Sequence, residues 1–337
     1  MDEIVEGDIK QIIKNLGEIS FEDMTVIVTG GAGFLGSYIC DVLVEQNANV
    51  ICIDNYASGT ESNISHLFDA ENFRFVRHDI AQPIFFDENI DVVMHLASRA
   101  SPLEFYDYPI QIFKANTLGT WIALGIAKRH GARFLFASTS EVYGSAEVVP
   151  TPETYNGNVN PVGVRGCYDE SKRAGEAICI AYKRQHNIDV RIARIFNTYG
   201  PRMRAEGVYG RVVPRFIYQA LRNEQLTIFG DGKQTRSFCY VTDQIEGLLR
   251  LAWFDGASGE VVNIGYPEET TILELAEMII EITGSESNMS FHPQPEDDPR
   301  RRCPLIDKAK NLLNWKPEIG LREGLRRTAE WWRAGTA

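Results

Sequence analysis

Residues 25–36 read Thr-Val-Ile-Val-Thr-Gly-Gly-Ala-Gly-Phe-Leu-Gly, a short β-branched run cut off by glycines at 30, 33 and 36. An apolar run with no polar alternation predicts a strand covered on both faces, and the following stretch Leu35–Gln46 has the spacing of a helix. Strand, glycine turn and helix in that order leave little choice: the helix packs back on its strand and leads to a parallel neighbour. The rhythm repeats. Val50–Asp54, Phe73–Arg77, Val92–Leu96, Arg133–Ser138 and Val190–Ile195 read as further strands, with helices over Ile110–Arg129 and Ser171–Gln185. The predicted fold class is α/β, a doubly wound parallel sheet with a smaller α/β substrate-binding lobe. Residues 1–23 are expected to be an N-terminal helical extension, with Ile4, Ile9, Ile12, Ile13 and Leu16 near helical spacing over 3–16. Covering core surface is its simpler role, partner binding the other. Residues 24–195 form the first domain. Residues 196–337 form mainly the second lobe, with segments returning to the first and helices expected over Val213–Arg222, Val241–Trp253, Ile272–Thr283 and Leu321–Trp332.

Glycine is needed in such a turn because a side chain would keep the backbone from a pyrophosphate, while the helix N-terminus offers that anion its amides. Gly30, Gly33 and Gly36 therefore make this a Rossmann-type dinucleotide site, and Asp54, after the second strand, is placed to accept from the adenosine ribose. No Arg or Lys stands between Asp54 and Thr60. A 2′-phosphate would meet repulsion there, so the predicted cofactor is NAD. Asp79, after the third strand, is either an adenine contact or a turn residue.

Composition removes other classes. With 46 acidic against 34 basic side chains the net charge is −12, which disfavours nucleic acid and anionic membranes as partners. No apolar stretch is long enough to span a bilayer, and the acidic N-terminus has no signal-peptide core. The six cysteines are scattered without a CxxC pair, and the histidines show no ligand spacing. Reduced thiols, a cytoplasmic location and no metal are expected.

Two further stretches carry chemistry. Tyr168 and Lys172 make YxxxK, which on a helix puts both on one face; the ammonium is expected to lower the phenol pKa and make it a base. Alone the spacing is weak, since two surface residues would give it. Upstream, Ser138-Thr139-Ser140-Glu141 ends a predicted strand with hydroxyls and a carboxylate.

Together with His95-Leu96-Ala97-Ser98, Arg194-Ile195-Phe196-Asn197-Thr198-Tyr199-Gly200-Pro201-Arg202-Met203, Gln234-Thr235-Arg236-Ser237-Phe238 and Asp297-Asp298-Pro299, these stretches resemble the extended short-chain dehydrogenase/reductase family. That family holds nucleotide-sugar epimerases, dehydratases and decarboxylases, and the resemblance runs over roughly residues 24 to 334. It is strongest to the UDP-glucuronate decarboxylases. A 4,6-dehydratase typically carries an Asp–Glu pair where this chain has Ser140-Glu141, and 4-epimerases usually carry small residues at both positions. What the resemblance implies is a transient 4-ketone, loss of carbon dioxide from UDP-glucuronate to give UDP-xylose, and NAD recycled. A UDP-hexose or UDP-hexuronate 4-epimerase is the rival reading.

By the same resemblance Tyr168 takes the 4-hydroxyl proton, Lys172 supports it, and Thr139 bonds the 4-oxygen. Glu141 and Ser140 serve the ring and the protonation step, their division of labour open. Phe34, Leu35, Asn55, Asp79, Ile80, Leu96, Ala97 and Ser98 join Gly30, Gly33, Gly36, Asp54, Tyr168 and Lys172 around NAD. Asn197, Arg211, Thr227, Arg236 and Arg302 are the implied UDP-sugar ligands, Thr227 lying along the uracil. Lys114 and Tyr106 are weaker candidates, and Trp331 and Trp332 read as packing residues. A homodimer through the Ile110–Arg129 and Ser171–Gln185 helices is the family's usual assembly. The chain departs from the pattern at Arg99, at Leu305 and in the Met203–Arg211 loop beside the sugar pocket.

Overall fold

The computed structural model describes residues 2–205, 211–294 and 299–335. Residues 206–210 of the Met203–Arg211 loop, and Asp297 and Asp298, lie outside the described residues.

The six expected strands form, as β1 (Thr25–Thr29), β2 (Asn49–Asp54), β3 (Phe73–Arg77), β4 (Val92–His95), β5 (Arg133–Thr139) and β6 (Val190–Ile195). A seventh, Val261–Ile264, pairs with β6, so the sheet runs β3-β2-β1-β4-β5-β6 and then that returning strand. All of its pairings are parallel. Strand order reverses between β1 and β4, and such a reversal opens a crevice at the carboxyl ends of the strands.

The helices are α1 (Glu3–Leu16), α2 (Phe34–Glu45), α3 (Glu104–Asp107), α4 (Pro109–Lys114), α5 (Thr120–His130), α6 (Gly166–His186), α7 (Val212–Leu221), α8 (Val241–Trp253), α9 (Ile272–Thr283), α10 (Asp307–Leu313) and α11 (Leu321–Gly335). Alternation along the strands sorts the core into two layers. Val26, Val28, Val50, Cys52, Val92 and Met94 share a cluster with residues of α1, α2 and α8. Ile27, Ile51, Ile53, Val93, Phe134 and Phe136 pack with Ala123, Leu124 and Ala127 of α5 and Cys179 of α6. Helix α1, capped by the Asp2 carboxylate accepting from the Ile4 amide, buries Val5, Ile9, Ile12 and Leu16 against this first layer. Its one buried carboxylate, Asp8, accepts from Tyr240 (2.7 Å) and Arg327 (3.1 Å).

One expected helix is broken. Ile110–Arg129 forms as α4 and α5 with a wider π-helical turn, Ala115–Gly119, between them. Tertiary contacts surround this turn. The Asn116 amide donates to Ser171 Oγ of α6 (2.9 Å), and a Cβ on Gly119 would stand 3.0 Å from Ile80. Such turns concentrate at functional sites.

Past β6, short pairings replace the long sheet: Leu226–Phe229 with Met289–His292, and Thr235–Arg236 between Thr270–Thr271 and Arg301–Arg302. Helix α9 opens with a capping box, the Thr271 hydroxyl and Glu274 carboxylate each satisfying the other's amide. Among the described residues no helix is long and apolar enough to cross a membrane, and no cluster of metal-ligating side chains occurs. The six cysteines are free thiols.

Candidate active site

A cleft of about 1350 Å³ opens at the carboxyl ends of the strands, lined from both halves of the chain. On the β1–β3 side the chain leaves Thr29 into Gly30, whose φ is +72°. A Cβ there would lie 2.8 Å from the Ala97 backbone, and one on Gly36 would lie 2.1 Å from the Gly30 carbonyl oxygen. These positions admit only glycine, and together with Gly33 they leave bare backbone facing the cleft at the start of α2. The Asp54 carboxylate accepts from the amides of Ala32 (3.0 Å) and Tyr56 (2.8 Å). Burial raises its pKa against those two bonds. Asn55, Asp79, Ile80, Leu96, Ala97 and Ser98 line the same stretch with Phe34 and Leu35, and Ser98 Oγ is buried with no hydrogen-bond partner. A glycine cradle, a buried acid at the end of β2 and an unused hydroxyl fit NAD.

Opposite them, Tyr168 and Lys172 stand one turn apart in the first half of α6, both buried. Lys172 Nζ donates to the Ala137 carbonyl (2.8 Å) and lies 5.0 Å from the centre of the Phe136 ring and 5.9 Å from that of Tyr168. Burial brings its pKa down to about 7. Burial and the Glu141 charge push the Tyr168 phenol up to about 12, against a hydrogen bond with Thr139. Thr139 also caps the turn after β5 by accepting from the Glu141 amide (3.3 Å). Ser140 is buried beside it. His95, at the end of β4, has Nδ1 2.7 Å from Thr29 Oγ1. Burial, then the Lys172 charge, lowers its pKa to about 3, so this ring is neutral.

Glu141 is the electrostatic centre of the second wall. Both its oxygens lie in the Arg302 fork (2.5 and 2.7 Å), and Oε2 also accepts from Arg165. Burial works to raise its pKa, but Arg165, Arg302 and Arg236 hold it below the usual carboxylate range. A bidentate guanidinium of this kind is also what a bound carboxylate or phosphate would use.

Most of the residues singled out in the sequence line this one cleft, among them Asn197, Arg211, Arg236, Arg302, Lys114 and Tyr106. The Asn197 amide donates to the Ser237 carbonyl (3.0 Å). Thr227 does not line the cleft: its amide and hydroxyl are held by Gln219, and its carbonyl accepts from Arg215 (3.1 Å). Arg99 pairs with Glu104 and lies 4.3 Å from the Tyr108 ring centre, building the wall next to Ser98. Three neighbours escaped sequence reasoning. Phe105 stacks on Tyr168 (5.2 Å, 16°), Arg165 grips Glu141, and Asp169 is buried beside Tyr168. Arg165 stood three residues before Tyr168, a helical spacing that marked it; Phe105 comes from α3, far off in the chain, and carried no such signal.

Comparison with known proteins agrees with this geometry. The model of the family described as "NAD dependent epimerase/dehydratase family" matches residues 26–265. The chain is 50% identical over 302 residues to UDP-glucuronic acid decarboxylase 4 of Arabidopsis thaliana, a match covering 90% of this chain and 67% of that one. Among solved structures, a UDP-glucose 4-epimerase from Thermotoga maritima superposes with a TM-score of 0.86 at 33% identity, covering 93% of this chain and 100% of the other. A UDP-glucuronic acid 4-epimerase from Bacillus cereus, in complex with UDP-glucuronic acid and NAD, gives 0.83 at 31%, covering 92% and 99%. Agreement of sequence, family model and fold over so much of the chain leaves one conclusion: it belongs to the NAD dependent epimerase/dehydratase family.

Proposed function

We propose that this protein decarboxylates UDP-glucuronate to UDP-xylose through a transient 4-keto sugar. The observation that carries the reading is Glu141, set in a ring of Arg165, Arg236 and Arg302 within reach of the same cleft as Tyr168. Its relatives at about half identity are named as UDP-glucuronic acid decarboxylases. When bound against Gly30, Gly33, Gly36 and Asp54, NAD supplies the oxidising equivalent for carbon 4 and takes it back at the end of the cycle.

The chain's own residues do the rest. Tyr168 removes the proton from the 4-hydroxyl while Thr139 holds that oxygen by hydrogen bonding. Lys172 stabilises the phenolate by its charge. A ketone at carbon 4 makes the neighbouring carboxylate a β-keto acid. The bond from carbon 5 to carbon dioxide breaks, its electron pair enters the enolate, and Glu141 with Ser140 returns a proton to carbon 5. Arg302 and Arg236 hold the anionic groups of the substrate, with Asn197 and Arg211 beside them.

A homodimer belongs to this reading, supported by the exposed Ile110, Phe113, Leu118 and Trp121 along α4 and α5. So does a cytoplasmic location, supported by six thiols with no disulfide. The fold neighbours named as 4-epimerases keep one rival in view, the same base returning the reducing equivalent to the other sugar face. Incubation with UDP-glucuronate and NAD decides between them. Release of carbon dioxide, a nucleotide sugar lighter by that amount and unchanged total NAD are expected; an isomer of equal mass would make the enzyme an epimerase.

A further inference from the structure

Decarboxylation consumes a proton in every cycle: the carboxylate departs as carbon dioxide, the bond pair stays on carbon 5, and a proton has to be added there. Glu141, as the structure holds it, has none to give. Its oxygens are saturated by the Arg302 fork and by Arg165. A second carboxylate lies on the same guanidinium. Asp169, directly after Tyr168 on α6 and 4% exposed, has Oδ2 3.5 Å from Arg165 Nε, while its Oδ1 is buried without a hydrogen-bond partner.

The charged and titratable groups around Asp169 come from three elements. Helix α6 itself brings Cys167, Tyr168 and Glu170 next to it, and Arg165 bonds it from the end of the helix. The turn after β5 brings Glu141, and the strand Arg301–Arg302 brings Arg302. Arg236 and Arg211 act one step further out, on Glu141 and Tyr168. Arg302 bonds Glu141 alone and Arg165 bonds both, so two buried carboxylates meet on the Arg165 guanidinium, and such a pair titrates as a unit. Burial, then the Glu141 charge, carries the Asp169 carboxyl up to about 7 against Arg165 and Arg302.

Building on the decarboxylase reading, we propose that Asp169 is a positioning residue for the protonation of carbon 5: it shares Arg165 and one proton with Glu141, and the substrate carboxylate, by drawing off Arg302, shifts that proton to Glu141. As it shifts, the O–H bond of Asp169 breaks and one forms on Glu141, and Arg165 swings to the new Asp169 carboxylate. Glu141 then gives the proton to carbon 5, and one proton taken up from solvent restores the Asp169 carboxyl, which closes the balance of one proton consumed per carbon dioxide released.

The test begins with wild-type enzyme, UDP-glucuronate and NAD. Absence of carbon dioxide removes the functional reading itself. With carbon dioxide released, Asp169→Asn is the decisive variant. It leaves Arg165 wholly to Glu141 and removes the exchangeable proton. Turnover is expected to fall roughly 10- to 100-fold, with the alkaline limb of the kcat–pH profile moved about one pH unit lower. KM for UDP-glucuronate should stay within about twofold, and Asp169→Glu should regain most of the rate. An unmoved alkaline limb, or a loss shared equally by KM and kcat, would overturn the proposal. A second measurement does not depend on the folding of that variant. Calorimetric titration of Tyr168→Phe enzyme, loaded with NAD at pH 7.5 in two buffers of different ionisation enthalpy, counts protons taken up on binding. At pH 7.5 only part of the free enzyme carries the shared proton, so UDP-glucuronate, which holds it on the pair, is expected to bring in about half a proton and UDP-xylose, which lacks the carboxylate, none. Equal uptake for the two nucleotide sugars would sink the shared-proton account.

Discussion

At the scale of single residues the cleft rests on positions that tolerate no substitute. A methyl group on residue 36 would sit 2.1 Å from the Gly30 carbonyl oxygen, so the turn would have to open. Gly36→Ala should therefore weaken binding of the dinucleotide by about tenfold or more, by titration of NADH fluorescence, while the far-ultraviolet circular dichroism spectrum is retained. Wild-type affinity in that variant would show that the turn is not the pyrophosphate cradle. Tyr168 presents a different problem. Burial and the Glu141 charge push its phenol up to about 12, and the neighbouring Lys172 donates to the Ala137 carbonyl. Tyr168→Phe keeps the ring that stacks on Phe105 and loses only the hydroxyl. Turnover is expected to drop by roughly 10²-fold or more with UDP affinity within about twofold; near-normal turnover would take Tyr168 out of the mechanism.

At the scale of elements, α1 is held by packing. Ile12 is fully buried in the layer it shares with α2 and α8. Ile12→Ala should cost about 2–5 kcal/mol of stability with KM unchanged, read from the denaturant midpoint. A smaller loss would mean that the helix detaches without strain on the core. The same helix shows what the sequence carried plainly. Its apolar spacing predicted residues 3–16, and short apolar runs predicted β1, β3 and β6 to the residue. Period and composition are local, so they survive translation into structure. The wider turn between α4 and α5 was not legible; its Asn116 bonds Ser171, 55 positions away on α6, a contact that only the folded chain makes. The strand Val261–Ile264 was missed for a related reason: four residues carry little pattern, and pairing with β6 decides their state. In the cleft, glycines, Asp54 and the Tyr168/Lys172 pair were readable as motifs. The grip of Arg165 on Glu141 was not, since helix and turn meet only in the folded chain.

For the molecule as a whole, the layer facing α4, α5 and α6 is finished on its inner side and unfinished on its outer one. Trp121 is 58% exposed, edge-on to Tyr182 at 5.9 Å, and is flanked along the chain by the exposed Leu118 and Phe113. If this face is the dimer interface, Trp121→Arg should give a monomer in sedimentation velocity at micromolar concentration, with the cleft residues and NAD affinity unaffected. A dimer that persists would move the interface elsewhere.

The returning strand has one more consequence, and it concerns the ribosome. Edge pairing of β6 is supplied by Val261–Ile264, and the covering helix α8 also follows the second lobe's first segments. During synthesis, at roughly 5–20 residues per second, the outer edge of β6 waits several seconds for its partner. Throughout that interval Ile192 has no Glu260 carbonyl to bond, and an open strand edge is a template for other chains. A nascent chain arrested before Val261 accordingly leaves that edge open and is expected to aggregate more readily than the finished chain.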